Sequence, residues 1–183
     1  MGISSAELFH KRSFMPKIID NLEIRLMEEA KKQIEENGYG AVTIRSIAKS
    51  CGVGVGTVYN YFSSKDNLLA AYMLNDWNIC LKEIESVAYV SDTPEAVARC
   101  IYDQLCFFVQ SHNYIIRDEA AVKRFQNVFG QYHGILRSQL AVPLEKYCSG
   151  LFAAEFIAEA LLTWTMAGKT FEDVYNMIKK CFS

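Results

Sequence analysis

Residues 43–69 read TIRSIAKSCGVGVGTVYNYFSSKDNLL, and along them the signals that start and stop a helix alternate too quickly for anything but short helices. Thr43 is a good N-cap. Ile44, Ile47 and Ala48 then recur at helical spacing and make one face of a short helix apolar. Gly52 stops it, because glycine permits the sharp turn that follows. Residues 55–62 form a second short helix with Val58 and Phe62 on its buried side, and Ser64 caps a longer one that begins at Lys65. Two short helices joined by a glycine-containing turn form a helix-turn-helix. Val53, Val58 and Phe62 with Ile44 and Ile47 supply a miniature core, and Ala48 is small where the two helices cross.

The rest of the chain keeps the helical period. Over residues 17–37 the apolar positions are Ile18, Ile19, Leu22, Leu26, Ala30 and Ile34; Gly38 is expected in the left-handed position that closes this helix. The helix opened by Lys65 should run to about residue 87 with Leu68, Leu69, Tyr72, Leu74, Ile79 and Ile84 on its inner face. Pro94 behind Thr93 starts an apolar-rich helix that breaks near His112. A further amphipathic segment over 119–140 is expected to break near Gly130 or Gly134. Residues 144–167, with Gly150 inside, form a strongly apolar helix. Gly168 closes it, and Thr170 caps a last helix through Cys181. Only Pro16, Pro94 and Pro143 stand among the 183 residues, and no alternation long enough for a strand occurs. The expected fold is all-α: an extension at 1–14, disordered or helical, a helix-turn-helix domain at 15–69 and a second helical domain at 70–183. Met15 is an alternative start.

With 51% hydrophobic and 22% charged residues the chain can bury a core. No run of 18 apolar residues appears and the first residues lack a secretory signal's apolar stretch, so a soluble, cytoplasmic protein is expected. A loose myristoylation-like start, Met1-Gly2 with Ser5, carries no weight. The net charge of −2 conceals a stretch from Asn37 to Lys65 that holds Arg45, Lys49 and Lys65 and no carboxylate. A surface without carboxylates suits a polyanion. The second short helix turns Val55, Gly56, Thr57, Tyr59, Asn60 and Tyr61 outward; hydroxyls, an amide and methyl groups suit the major groove of DNA.

The run from Thr43 to Leu69 resembles the DNA-binding domain of the tetracycline-repressor (TetR) family of bacterial regulators. Thr43, Ile47, Ala48, Gly52, Val53, Thr57, Val58, Tyr59, Tyr61, Phe62, Lys65 and Leu68 all fit its pattern. The resemblance implies that Tyr59, Tyr61 and Lys65 touch phosphates, Lys65 aided by the helix it opens, and that Thr43 anchors another. It places Arg45 at a base or backbone, and base reading on Val55, Gly56, Thr57 and Asn60. Gly54 departs from the family, which often has a capping side chain there. Gly54 and Gly56 together cost the helix about 1 kcal/mol.

The resemblance also implies a repressor released by a small, partly apolar effector. Residues of the second domain that suit a cavity wall are Phe107, Phe108, Tyr114, Phe125, Phe129 and Trp164, with His112 or His133 as the polar handle. It further implies a homodimer through roughly 152–182, where Ala153, Ala154, Ala158 and Ala160 allow close helix approach. Two recognition helices would then meet successive major grooves of a palindrome, about 34–36 Å apart. A DNA-binding protein whose second domain grips a protein partner is the rival reading. Cys51, Cys80, Cys100, Cys106, Cys148 and Cys181 form no C-x-x-C pair and are expected as free, mostly buried thiols. No metal or cofactor is implied. No nucleophile elbow, phosphate loop or dinucleotide fingerprint occurs, so an enzyme is not expected; a Cys106/His112 pair reads as a core thiol near a histidine.

Overall fold

The computed structural model describes residues 21–182; for residues 120, 122 and 124–132 only the backbone is described. The extension at 1–14, Met15 and the helix expected over 17–20 lie outside the described residues. The helices are α1 (Leu22–Asn37), α2 (Ile44–Ser50), α3 (Val55–Tyr61), α4 (Lys65–Val90), α5 (Pro94–Ser111), α6 (Asn113–Ile116), α7 (Glu119–Ala141), α8 (Leu151–Met166) and α9 (Phe171–Ile178). Short 3-10 turns occupy Val142–Tyr147 and Lys179–Cys181, and no strand occurs among the described residues. None of their helices is long and apolar enough to cross a membrane.

Local chemistry sets most boundaries. Thr43, Ser64, Thr93 and Thr170 each accept a backbone N–H at the start of the helix they precede, and Pro94 follows at the first position of α5. Gly38 closes α1 at φ 77° and ψ 162°, a positive-φ conformation that is not the left-handed helical one expected. Two boundaries differ from expectation. Helix α7 runs unbroken through Gly130 and Gly134, so glycine propensity alone does not stop a helix supported on both sides. Gly150 instead breaks the apolar segment: at φ 154° it precedes α8, and the stretch before it is a 3-10 turn.

The molecule has two hydrophobic cores strung on α4. The first joins Leu26, Ala30 and Ile34 of α1, Ile44 and Ile47 of α2, Val58 of α3 and Leu68, Leu69, Tyr72 and Met73 of α4. It extends past residue 70, taking in Ile115 of α6 and Ala121 of α7. The second gathers Trp77, Cys80 and Ile84 of α4 with Ile101 of α5, Leu140 of α7, Ile157 and Leu161 of α8 and Val174 of α9. Phe108 packs against both. The inner face expected for α4 is corrected at two places. Leu74 and Ile79 are exposed, and Trp77, Cys80 and Ala88 take the buried positions. Trp77 anchors the second half of α4 by donating its indole N–H to Gln139 of α7 at 2.9 Å.

Helix α8 is apolar on two faces. Ala154, Ile157, Ala158 and Leu161 point into the second core, while Phe152, Phe156 and Trp164 stay exposed on another face.

Candidate nucleic-acid interface

Helices α2 and α3 are presented on a platform of α1 and α4. Thr43 and Ser46 cap each other reciprocally at the start of α2: the Ser46 N–H donates to Thr43 Oγ1 at 3.0 Å and the Thr43 N–H to Ser46 Oγ at 3.1 Å. The Ser46 hydroxyl reaches Gln33 Oε1 of α1 at 2.6 Å, and Arg25 of α1 donates to the Cys51 carbonyl at 3.2 Å. Gly52 at φ 69° then reverses the chain. Its N–H bonds to the Lys49 carbonyl and that of Val53 to the Ala48 carbonyl, closing the last turn of α2.

Val58 and Phe62 hold α3 to the first core, with Val53, Val55 and Tyr61 packed beside them. Gly56, Tyr59 and Asn60 are exposed, Tyr59 to 53%, and Thr57 is half-buried. Thr43, Arg45 and Lys49 are exposed on the α2 side. Two expected contact residues are therefore only partly presented: Val55 and Tyr61 lean inward against the core. Lys65 is half-buried and is held by Tyr39. Its ammonium donates to the Tyr39 carbonyl at 2.8 Å and lies 3.8 Å above the Tyr39 ring. A cation held over an aromatic face and a carbonyl fixes the start of α4 rather than projecting into solvent. The Tyr39 hydroxyl donates to Asp66 Oδ1 at 2.6 Å and completes this tie. Sequence reading missed the tie, although a buried tyrosine always needs a partner for its hydroxyl.

Gly54 precedes α3 with no side-chain cap, and a Cβ there would meet only Thr57 Oγ1 at 3.7 Å; at Gly56 nothing lies within 4 Å. Gly56→Ala is thus expected to stabilise the protein by about 0.8 kcal/mol, a rise of about 2–3 °C in Tm by calorimetry. A lower Tm would mean that α3 is not helical at that position.

The residues expected to wall a cavity divide into four groups. Phe108, His112 and Tyr114 come together: the Phe108 and His112 rings lie 4.2 Å apart and His112 and Tyr114 6.5 Å. Tyr72, expected on the inner face of α4, joins them, as do Asp76 and Trp77, which the expected face of α4 left out. Phe107 and Trp164 stand apart from them, 59% and 50% exposed. The side chains of Phe125 and Phe129 lie outside the described residues. His133 stands apart on α7, its Nε2 at 2.9 and 3.0 Å from the two Glu159 carboxylate oxygens. The Thr163 hydroxyl, assisted by His133, holds the Glu159 carboxyl below its usual range.

The six thiols are free, but only Cys80 is fully buried. Burial raises the pKa of Cys51, Cys80, Cys100 and Cys148, that of Cys100 to about 11, and so keeps them as unreactive thiols. His112 offers Cys106 no base, since Nδ1 faces the Phe108 carbonyl and Nε2 faces Asp76. No cluster of metal-ligating side chains occurs among the described residues.

Residues 26–72 match the family described as bacterial regulatory proteins, tetR family. The regulator UidR of Escherichia coli K12 is 29% identical over 83 residues, which cover 43% of this chain and 42% of UidR. HbdR of Aromatoleum sp. CIB is 33% identical over 75 residues, 41% of this chain and 33% of HbdR. The matched region thus spans less than half the length of these relatives, which are regulators rather than enzymes. A solved transcriptional regulator of Streptomyces coelicolor A3(2) superposes at a TM-score of 0.68, with 14% identity over 89% of this chain and 99% of that one. One from Aquifex aeolicus VF5 gives 0.58, with 17% identity over 86% and 95%. Those likenesses are of fold, and they extend the all-helical two-part architecture beyond the matched segment. Residues 26–72, which hold α2, the turn and α3 on their platform, are thus the part of the chain that is similar to the tetR family of bacterial regulatory proteins.

Proposed function

We propose that the protein is a cytoplasmic, homodimeric transcriptional regulator that binds a palindromic DNA site and represses until a small effector releases it. The observation that carries this is the outward face of α3: Gly56, Tyr59 and Asn60 exposed and free of acid, on a helix held by Val58 and Phe62. Thr57 and Asn60 read bases with Gly56 allowing close approach, and Val55 offers its methyl groups from the edge. Thr43, Arg45, Tyr59 and Tyr61 position the phosphates, while Lys65 contributes through the fixed start of α4. The stripe Phe152, Phe156 and Trp164 on α8, with Met177 of α9 78% exposed, supports pairing with a second copy. An effector seated where Phe108, His112 and Tyr114 meet α4 would shift α4 and separate the heads. A coupling of about 1–3 kcal/mol suffices to lower DNA affinity five- to 150-fold.

Fluorescence anisotropy at about 0.15 M salt, with duplexes from upstream of the protein's own gene and scrambled controls, tests the reading. A preference of about 10³-fold or more is expected. Tyr59→Ala should weaken both duplexes alike, whereas Asn60→Ala should lose about 1–3 kcal/mol on the specific site alone. Failure to bind DNA at any salt concentration would sink the proposal.

A second reading has one observation behind it. An open groove of about 620 Å³ at the far end of α4, lined by Glu85, Tyr89, Val142, Pro143 and Glu145, suits a protein partner better than a small molecule. Loss of partner capture in Tyr89→Ser, with DNA release by small molecules absent, would favour it.

A further inference from the structure

Two neighbouring stripes of α1 meet α2. Leu26, Ala30 and Ile34 form the apolar one and share the first core with Ile44, Ile47 and Ala48. This stripe repeats about once per turn. Apolar contact has no direction, so α2 slid along it by one turn would bury nearly the same area. The second stripe, Arg25, Glu29 and Gln33, is polar and does have direction. The Gln33 amide donates to Glu29 Oε1 at 2.7 Å and to Ser50 Oγ at 3.2 Å, and its Oε1 accepts the Ser46 hydroxyl at 2.6 Å. A carboxylate can only accept, so Glu29 fixes which end of the amide faces it and leaves the carbonyl for Ser46. One half-buried side chain thereby holds α2 by its first turn and by its last. Two turns earlier on the same stripe, Arg25 donates to the Cys51 carbonyl at 3.2 Å, and the Arg25 carbonyl accepts the Cys51 thiol at 3.7 Å. The turn that leads into α3 is tied in the same register.

Resting on the regulatory reading above, we propose that Gln33, supported by Arg25, is a positioning residue for base recognition: it selects one register of α2 and α3 on α1, and with it the place of Thr57 and Asn60 in the groove. Gln33 acts through these helices and not through the DNA. Phosphates recur along a duplex and tolerate a displaced helix, whereas a base edge is read only by a donor or acceptor in place. The register therefore governs the preference for one sequence rather than the attraction to DNA as such. A single amide that aligns packed helices in a coiled coil works for the same reason, since apolar side chains alone leave several alignments close in energy. Helix α1 also packs on α4, which runs on into the second core. A head held in one register on α1 moves with α4 as one body.

The test compares full-length wild type, Gln33→Met and the swap of Glu29→Gln with Gln33→Glu. Anisotropy is read on the duplex from upstream of the protein's own gene and on its scrambled control. Methionine keeps the length and the helix propensity of glutamine and changes no charge. Gln33→Met should bind the natural duplex about tenfold more weakly, while the scrambled duplex stays within about twofold and the salt dependence is that of wild type. The swap conserves net charge and reverses the pair: the relocated carboxylate accepts from Ser46 and Ser50, and the relocated amide donates to it. It should recover most of the sequence preference. Backbone residual dipolar couplings should show α2 reoriented on α1 in Gln33→Met and not in the swap. Equal weakening on both duplexes, an unchanged preference in Gln33→Met, or a swap no better than Gln33→Met would overturn the proposal. Absence of any preference in wild type would instead fail the regulatory reading. The couplings would then still decide the register, which α2 reoriented in Gln33→Met supports and α2 unmoved overturns.

Discussion

Glutamate at both Phe156 and Trp164 is expected to convert the proposed dimer to monomers and to lower operator affinity at least about a hundredfold. The two side chains lie two turns apart on the outer stripe of α8, 53% and 50% exposed, beside Phe152 at 82%. Being outside the core, they can be changed at a cost to the monomer within about 0.5 kcal/mol each. Burying the same carboxylates against a second copy without partners costs several kcal/mol, which exceeds what one stripe of side chains returns. Once the heads are unlinked, the second half-site is no longer bound at an effective concentration in the millimolar range, and avidity of about 10²–10⁴ is lost. Sedimentation velocity would report the assembly and anisotropy on full and half sites the affinity. Dimers of unchanged affinity in the double variant would move the interface elsewhere.

Ile47→Ala carries the largest expected cost within one chain. Ile47 has no exposure and lies among Ile44, Val58, Phe62 and the α1 residues of the first core. Removing its branched side chain leaves a cavity under the short helices α2 and α3, for a loss of about 3 kcal/mol. Seven-residue helices have too few internal bonds to survive without that packing. Amide exchange in α2 and α3 should therefore quicken about a hundredfold, while amides of α8, in the second core, keep most of their protection. Equal losses in both regions would show that the two cores unfold as one unit.

How much of this was legible in the sequence varied with distance along the chain. Thr43, Gly52, Ser64, Pro94 and Thr170 announced their boundaries because a cap or turn acts on backbone groups within a few residues. Gly150 and Gly130 show the limit of the same signal. One breaks the chain and the other sits inside α7, and nothing in either glycine says which neighbours will support the helix. The face of α3 was legible in part for a similar local reason: Val58 and Phe62 are four apart, which turns Tyr59 and Asn60 outward, while Tyr61 leans on the core. Lys65 was not, since its place over Tyr39 depends on a loop 26 residues earlier coming to rest beside the start of α4.

The sequence by itself determined the fold class and the helix-turn-helix, because both follow from period, caps and a glycine turn, which are short-range matters. Tertiary structure decided the rest. Helix α4 serves one core with Tyr72 and Met73 and another with Trp77 and Cys80, leaving Leu74 and Ile79 outside. A helix apolar on so many sides has no single face that its own period can specify. Only the helices that close against it, α1 at one end and α5 with Gln139 of α7 further along, select which stripe is buried. The same closure buries His112 and sets its Nε2 against Asp76, joining groups 36 positions apart that no spacing rule connects.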